Sequence, residues 1–430
     1  MVILEPLLYY KFNTKNLENI EFQYIDCVFE KEIIKCDKPY EAFINGYATV
    51  IKINNQVRLY YRAGNIKGSD KMTNRQLQRQ LGVFLRDYEV LCVAISKDGI
   101  NFTKPNMGMV KYDKKIKGKN NIIRKDYFCH NFFANYDYNL KKFIGISGLK
   151  SHNNGIFVFE SKDGYNWDQK NKILNDNHLL GGWRHPNHFD TLSVLLYNPI
   201  LKKYYCYTRH NSDTSPSRRV QVAESTDLIK FSKCKLVKMS ELGEKKDIYI
   251  PGIFLYPGTN YFLAHTCSHD NRTKNKINLL MISKDGMNFE LVKEEITKSV
   301  KGSILPVYGI IEINNKFLIY VLDNEGRNIN SYLCYSFKKD RIGCLYAKEM
   351  GTFRTKNIKI KSFFINFETE DDGSIDIEMY NKENELIERI ENIKGDEMNK
   401  NIEFQNIKDD EIYIKFILKK AKMYSYSYNQ

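Results

Sequence analysis

An aspartate before one apolar segment and an arginine at the end of the next are the first residues whose types suggest chemistry. Asp190 stands directly before the apolar segment Leu192 to Tyr197, and Arg209 ends the Tyr-rich segment that follows it. A carboxylate in such surroundings needs a partner, and the guanidinium of Arg209 can form a bidentate pair with it. We therefore predict that Asp190 is a functional residue. The alternative is a structural Asp that stabilises a turn.

Basic and titratable side chains crowd the loop before Asp190. Arg184, His185 and His188 all lie within eight residues that begin with two glycines, Gly181 and Gly182. Such groups in one loop can bind a carboxylate or a phosphate on a sugar, although exposed histidines in Gly-rich loops are often without function. Arg184 and His188 are therefore candidate binding residues, and both interpretations stay open.

Two further places present polar side chains next to predicted strands. His130 and Asn131 precede a predicted strand as Asp190 does, so their side chains are expected to face the same region. They are candidate ligand contacts, and whether they touch a ligand stays open. Arg62 ends the segment that begins at Val57, and it is either a ligand contact or a charge at a strand end.

A third candidate group combines a carboxylate with a phenol. Asp247 and Tyr249 stand two residues apart, before Pro251. A Tyr can act as a nucleophile on glycosides, but a Tyr in a strand is more often a surface on which a sugar ring stacks. Tyr249 is therefore assigned to substrate binding.

Metal and cofactor chemistry find little support in the sequence. The segment His265 to His269 lacks a companion pair of ligands, so we predict no zinc site and no other metal. Phosphate loops, nucleophile elbows and nicotinamide fingerprints are absent from the sequence, so we expect no cofactor.

Charge and cysteine content narrow the class of partner. The net charge of +14 is spread along 430 residues, and the basic segments near Lys111 and Arg124 lack interleaved aromatic residues. We therefore predict no nucleic-acid partner; an anionic polysaccharide is compatible with the charge. Nine cysteines stand singly, which favours reduced thiols and, by default, a cytoplasmic protein. The sequence shows no secretory signal or membrane span.

A short repeat indicates how these residues are positioned. A Ser-x-Asp pattern, usually followed by Gly, carries an aromatic residue six positions after the Ser, and its copies recur roughly 60 residues apart. The copies begin at Ser96, Ser161, Ser225 and Ser283. The Asp can cap its own turn and the Gly accepts positive φ, so we predict a structural turn in a repeated unit.

The rest of the chain predicts an all-β protein with two domains. Segments rich in Val, Ile, Tyr and Phe recur before and after each pattern and predict four-stranded propeller blades. Four patterns and the pattern-free segment from Ile304 to Ala347 give a five-bladed β-propeller at residues 1–350. Alternating strands then predict a C-terminal β-sandwich at residues 351–430. One helix is predicted, from Thr73 to Leu81, as a candidate lid in an insertion of the first blade.

The order of these segments resembles that of the five-bladed β-propeller proteins similar to glycoside hydrolase families 32 and 43, in the form with a C-terminal β-sandwich. The resemblance runs from end to end of the chain. The segments that carry it are Tyr61–Ala63, Cys92–Asp113, Gly155–Trp167, His188–His210, Arg219–Phe231, Gly351–Ile358, Ile365–Ile375 and Ala421–Tyr428.

This resemblance implies three carboxylates around the propeller axis, acting as nucleophile or base, transition-state stabiliser and general acid. Asp190 matches the stabilising position. The first position falls near Asn45 to Tyr47, which contains no carboxylate, and the nearest one is Glu41. The third position is occupied by Tyr249, with Asp247 two residues earlier. Glu41 and Asp247 are therefore candidate catalytic residues, although Glu41 also fits an ordinary surface turn.

Two hypotheses follow. The resemblance implies a glycosidase that hydrolyses or transfers a glycosidic bond of an oligosaccharide or polysaccharide, with Asp190 orienting the sugar and Glu41 or Asp247 as acid or base. The alternative is a non-catalytic glycan-binding or scaffold protein that has lost the catalytic acids, as Asn45 and Tyr249 suggest.

Overall fold

The computed structural model describes residues 2–41, 44–64, 89–112, 119–149, 152–180, 189–211, 218–239, 246–270, 276–297, 304–323, 330–407 and 411–430. The predicted helix from Thr73 to Leu81 lies outside these residues. No helix within the described ranges is long and apolar enough to cross a membrane.

The chain begins with short elements that join sheets formed much later in the sequence. They are β1 (Val2–Pro6), a 3₁₀ helix (Leu7–Tyr9), α1 (Tyr10–Asn13), β2 (Thr14–Glu18), β3 (Glu21–Tyr24) and β4 (Val28–Lys35).

Five sheets follow one another and form the blades of a five-bladed β-propeller, as predicted. Blade 1 contains β5 (Ile44–Ile53), β6 (Gln56–Gly64), β7 (Glu89–Ser96) and β8 (Ile122–Arg124). Blade 2 contains β9 (Phe133–Asp137), β10 (Lys142–Leu149), β11 (His152–Ser161) and β12 (Asp168–Leu174). Blade 3 contains β13 (Val194–Asn198), β14 (Lys203–Asn211), β15 (Arg218–Ser225) and β16 (Lys235–Leu236).

The last two blades contain extra short strands. Blade 4 contains β17 (Lys238–Met239), β18 (Lys246–Ile250), β19 (Ile253–Leu255), β20 (Phe262–Asp270), β21 (Lys276–Ser283) and β22 (Asn288–Glu294). Blade 5 contains β23 (Ile304–Pro306), β24 (Ile311–Ile313), β25 (Lys316–Asp323), β26 (Ser331–Lys338) and, as its outer strand, the early β4.

Two contacts close the ring between the last blade and the first. Strand β4 pairs antiparallel with β26, so the outer strand of blade 5 comes from the chain before blade 1. Near the axis, Val50 donates its N–H to the carbonyl of Tyr308 at 2.8 Å, and Tyr308 donates to Ala48 at 2.9 Å. The closure buries the inner edges of both blades and holds the inner strands in place around the axis.

The four Ser-x-Asp patterns are turns, as predicted. In every copy the Asp Oδ1 accepts the backbone N–H groups two and three residues later, at 2.7 to 2.9 Å. The fourth residue has positive φ even in the third copy, where Leu228 replaces Gly. The turns also join blades, because Tyr320 of blade 5 donates to the Gly99 carbonyl and Tyr207 of blade 3 donates to that of Gly286.

The C-terminal strands form an eight-stranded sheet with its own apolar core, in keeping with the predicted β-sandwich. They are β27 (Gly343–Thr355), β28 (Ser362–Asn381), β29 (Leu386–Ile393), β30 (Asp396–Ile402) and β31 (Ile412–Asn429). Strands β1, β2 and β3 complete the sheet, and β27 runs through residue 350. The division into 1–350 and 351–430 stays a prediction.

Candidate functional site

The beginnings of the inner strands bring four side chains together at one end of the propeller axis. We call this region the axial mouth and define it by Tyr47, His130, Asp190 and Tyr249. The ring of Tyr47 lies 6.2 Å from that of His130 and 6.4 Å from that of Tyr249, measured between centroids. His130 Nε2 lies 3.0 Å from Asp190 Oδ1. Residues of blades 1 to 4 thus meet at one site, although they lie far apart in the sequence.

The position of Asp190 depends on a buried amide. Asn131 donates from Nδ2 to the carbonyls of Gly148 at 2.8 Å and Phe189 at 2.7 Å, and its Oδ1 accepts from Ser147 Oγ at 2.8 Å. Phe189 has φ of 65°, a conformation rare outside Gly and Asn, so the bond from Asn131 stabilises the bend that presents Asp190. Asn131 is 2% exposed, which favours a positioning role over the predicted contact with a ligand.

His130 connects two carboxylates. Its Nδ1 lies 3.0 Å from both oxygens of Glu89, and its Nε2 lies 3.0 Å from Asp190. The Glu89 side chain is fully buried, the His130 side chain is 18% exposed, and the Asp190 side chain is 37% exposed. A bound molecule can therefore reach Asp190 directly, whereas Glu89 acts through the imidazole.

Two arginines flank this row of residues. Arg62 donates to the carbonyl of His130 at 3.1 Å and lies 3.8 Å from Glu89. Arg209 Nη1 lies 3.6 Å from Asp190 Oδ2, and its Nη2 donates to the Tyr249 carbonyl at 3.3 Å. The ion pair between Arg209 and Asp190 forms at 3.6 Å, beyond hydrogen-bond distance, so it is not the bidentate pair that the sequence suggested.

The charges at the axial mouth act on one another. Burial opposes ionisation of Asp190, but the hydrogen bond from His130 and the charge of Arg209 outweigh it and lower its pKa well below 3.8. Burial also opposes ionisation of Glu89, and the charge of His130 again outweighs it and lowers the pKa. For His130, burial opposes protonation, but the two carboxylates raise its pKa above 6.5. An ionised Asp190 carboxylate is a strong acceptor for hydroxyl groups.

Asp247 lies in β18, behind Tyr249. It is fully buried and accepts the backbone N–H of Arg218 at 2.8 Å. Its Oδ2 also lies 3.8 Å from Arg218 Nε and 3.9 Å from His269 Nδ1. The structure thus brings Asp247 into the neighbourhood of the axial mouth, but without exposed surface through which it could contact a ligand.

Glu41 lies elsewhere. It is fully buried, accepts from the Tyr61 hydroxyl at 2.7 Å, and pairs with Lys104 at 2.6 Å. Tyr61 and Arg62 are consecutive in β6, so their side chains point to opposite faces of blade 1. Glu41 therefore lies on the face away from Arg62 and His130. This placement favours a structural role over the predicted role as acid or base.

Three candidate binding residues that the sequence suggested lie outside the described residues: Arg184, His185 and His188. Two residues of the site were missed from the sequence. Glu89 was missed because a charged residue at the first position of a strand looks solvated. Tyr47 was named only as part of a segment without a carboxylate, although an aromatic residue at that inner-strand position was a usable signal.

Comparisons with known proteins concern solved structures alone, because no family model and no curated protein matches the sequence. A β-1,2-mannobiose phosphorylase from Listeria innocua is 14% identical, with a TM-score of 0.49 over 74% of this chain and 98% of that one. An N-acetylgalactosamine deacetylase from F. plautii, in complex with blood group B trisaccharide, is 12% identical (TM-score 0.48, 73% and 94%). A family 43 arabinoxylan arabinofuranohydrolase from Bacillus subtilis, in complex with cellotetraose, is 9% identical (TM-score 0.43, 94% and 99%). Likenesses this distant carry no argument about activity, which has to come from the site.

Proposed function

We propose that this chain is a carbohydrate-active protein whose sugar ligand occupies the axial mouth and is anchored by Asp190. The observation that carries the proposal is the state of that carboxylate. It is more than one third exposed, yet His130 and Arg209 keep it ionised and fixed in place. Sugar hydroxyls are donors that suit such an acceptor, and the half-buried ring of Tyr249 at the same mouth suits the apolar face of a pyranose.

Hydrolysis or transfer of a glycosidic bond is the reaction we propose first. Two-carboxylate glycoside chemistry needs the second group within about 10 Å of the first. Glu89 meets that requirement, since it and Asp190 bind the two nitrogens of one imidazole. Asp190 stays ionised and suits stabilisation of a positively charged transition state. The pair of Glu89 and His130 behind it can hold or release a proton.

Non-catalytic glycan binding is the second candidate, favoured by the burial of the other carboxylates. Glu89, Asp247 and Glu41 are each completely buried. Of these three carboxylates and Asp190, only Asp190 is exposed and can contact a ligand directly. A binding protein needs no second exposed acid, whereas hydrolysis needs a proton donor at the leaving group.

The variant Asp190→Asn tests the proposal. Asparagine keeps the shape but loses the charge, so we expect affinity for a cognate oligosaccharide to fall by about tenfold or more. Binding is measured by calorimetry across neutral and acidic oligosaccharides, and turnover by release of reducing ends. The control is Asp227→Asn, which makes the same change in an exposed turn.

The outcomes separate the two candidates. Turnover that the wild type shows and Asp190→Asn loses supports the glycosidase. Binding without turnover in the wild type, lost in the same variant, supports the glycan-binding protein. If Asp190→Asn binds every ligand as the wild type does, the axial mouth is not the sugar site and the proposal is wrong.

A further inference from the structure

Three cationic side chains surround one tyrosine ring of the axial mouth. Lys276 Nζ lies 4.5 Å from the centroid of the Tyr249 ring, and the guanidinium carbons of Arg218 and Arg209 lie 5.3 and 5.5 Å from it. The three residues belong to β21, β15 and β14, so the fold and not the local sequence brings them together. We call Tyr249 and these three side chains the Tyr249 cluster.

Among the residues that the structure describes, positive charge exceeds negative charge at this cluster. Asp247 is occupied by Arg218, and Asp190 is shared between Arg209 and His130. Lys276 has no Asp or Glu oxygen within 4.0 Å in the described part of the chain. Within the described ranges, Lys276 is therefore a cation without a carboxylate partner, and the positive potential that results attracts anions.

Arg209 gives a second and independent indication. Its side chain is only 3% exposed, and its Nε has no acceptor among the residues that the structure describes. Buried donors in native proteins almost always have partners, and exceptions need an explanation. A ligand oxygen that reaches this side chain would supply the missing acceptor.

The phenol of Tyr249 responds to the same positive charge. Burial raises the pKa of a phenol, but Lys276, Arg209 and Arg218 outweigh it here and lower the pKa of Tyr249 below 10.0. The buried Tyr47, on the other side of the mouth, has its pKa raised by burial. The two rings of one site therefore lie in different electrostatic environments, and the positive one is at Tyr249.

We propose that the Tyr249 cluster is a subsite for an oxyanion, a carboxylate or phosphate group carried by the sugar that Asp190 anchors. The proposal rests on the proposed function and adds to it the chemical class of the ligand. Guanidinium groups match the planar oxygen pairs of carboxylates and phosphates. Asp190 repels an anion, so hydroxyl groups lie beside Asp190 and the anion lies on the side of Tyr249, where Lys276, Arg218 and Arg209 surround the ring.

Lys276→Met is the variant that tests the subsite most cleanly. Lys276 has no described carboxylate partner, so its removal leaves no buried acid unpaired, unlike the removal of Arg218. Lys293→Met is the matched control, because Lys293 Nζ lies 5.7 Å from the ring of Tyr24 in a similar contact elsewhere. The probes are a galacturonic acid trisaccharide, its methyl ester and inorganic phosphate, each measured by calorimetry at two salt concentrations.

We expect the wild type to bind the acidic trisaccharide about tenfold more tightly than its ester, with the difference shrinking at high salt. Lys276→Met should abolish that difference and leave the affinity for the ester unchanged, whereas Lys293→Met should change neither. If Lys276→Met weakens acid and ester equally, or if the preference for the acid persists in it, the subsite is overturned.

Inorganic phosphate distinguishes a fixed anion on the sugar from a free one. Binding of the acidic sugar that depends on Lys276, without binding of phosphate alone, supports the proposal as stated. Phosphate binding that depends on Lys276, together with sugars that bind equally as acid and ester, shows a free-anion site and overturns the sugar-borne anion. Loss of ester binding in Asp190→Asn reports separately on the proposed function.

Discussion

The Ser-x-Asp turns and the axial mouth both depend on hydrogen-bonded carboxylates, but they are built in opposite ways. Each turn aspartate is satisfied by backbone N–H groups within three residues, with nearly the same distances in all four copies. At the axial mouth, Glu89 and Asp190 are satisfied by His130, which is 41 and 60 residues away in the sequence. The turns are local and repeated, whereas the site is non-local and occurs once.

This difference determines how far a change spreads. The pKa of Asp163 is lowered to about 2, since backbone and side-chain hydrogen bonds of its own turn outweigh its desolvation. A backbone donor stays in place when a distant residue is replaced. The pKa values of Glu89, His130 and Asp190 depend on one another, so replacing one of them alters the other two. The turns should therefore respond independently, and the axial mouth as a unit.

Replacement of Glu89 by alanine should have the largest effect on stability. The variant removes the fully buried carboxylate of Glu89, with which both His130 and Arg62 pair in the wild type. Breaking a buried ion pair on one side typically costs about 3 to 5 kcal/mol. Urea denaturation at pH 7 measures the change. A loss below about 1 kcal/mol would mean that the buried row of charges contributes no more than a surface pair.

The second largest effect should be the pH dependence of stability, which reports on the coupled ionisation of Glu89, His130 and Asp190. The pKa of His130 is raised above 6.5, so its contribution is fully present below pH 6.5 and is lost as the pH rises through the higher folded value. The pKa values of Glu89 and Asp190 are lowered from 4.5 and 3.8, so their contributions are present above those values and are lost on acidification. The row of charges therefore stabilises the fold most between about pH 4.5 and 6.5.

Glu89→Gln separates this effect from other ionisations. Without the Glu89 charge, burial should dominate and the pKa of His130 should fall, so the loss of stability above pH 6.5 should diminish. The measurement is an NMR titration of the imidazole, together with urea midpoints across pH. An unchanged pKa of His130 in Glu89→Gln would contradict the coupling inferred from the 3.0 Å contacts.

The same contrast explains what the sequence could predict. The turns were predictable because the short segment from Ser96 to Asn101 contains the groups that bond to one another. Its four copies predicted four blades, and the pattern-free segment from Ile304 to Ala347 predicted the fifth. Closure of the ring was not predicted, because no local signal in Val28 to Lys35 indicates pairing with a strand about 300 residues later.

The candidate site was predictable only where a residue is unusual by itself. Asp190 and His130 stand out before apolar strands, and the structure brings them together. Glu41 was named because it is close in sequence to an expected catalytic position. Consecutive residues of a strand point to opposite faces, so closeness along the chain does not place a side chain at the axis. Glu89 was missed since its role appears only when blades 1 and 2 are packed.

The smallest effects should come from the turns. Asp98→Ala and Asp163→Ala each remove a side-chain acceptor from a turn, so each should cost about 1 kcal/mol, as for a lost cap. The turns share no hydrogen-bond partner, so the double variant should equal the sum of the single ones within about 0.5 kcal/mol. The combination of Glu89→Gln with Asp190→Asn should depart from additivity by more than that, because both carboxylates bind one imidazole. If the two changes at the axial mouth are additive in the same urea experiment, then Glu89, His130 and Asp190 contribute to stability separately. The site and the turns would then differ only in where their partners lie in the sequence.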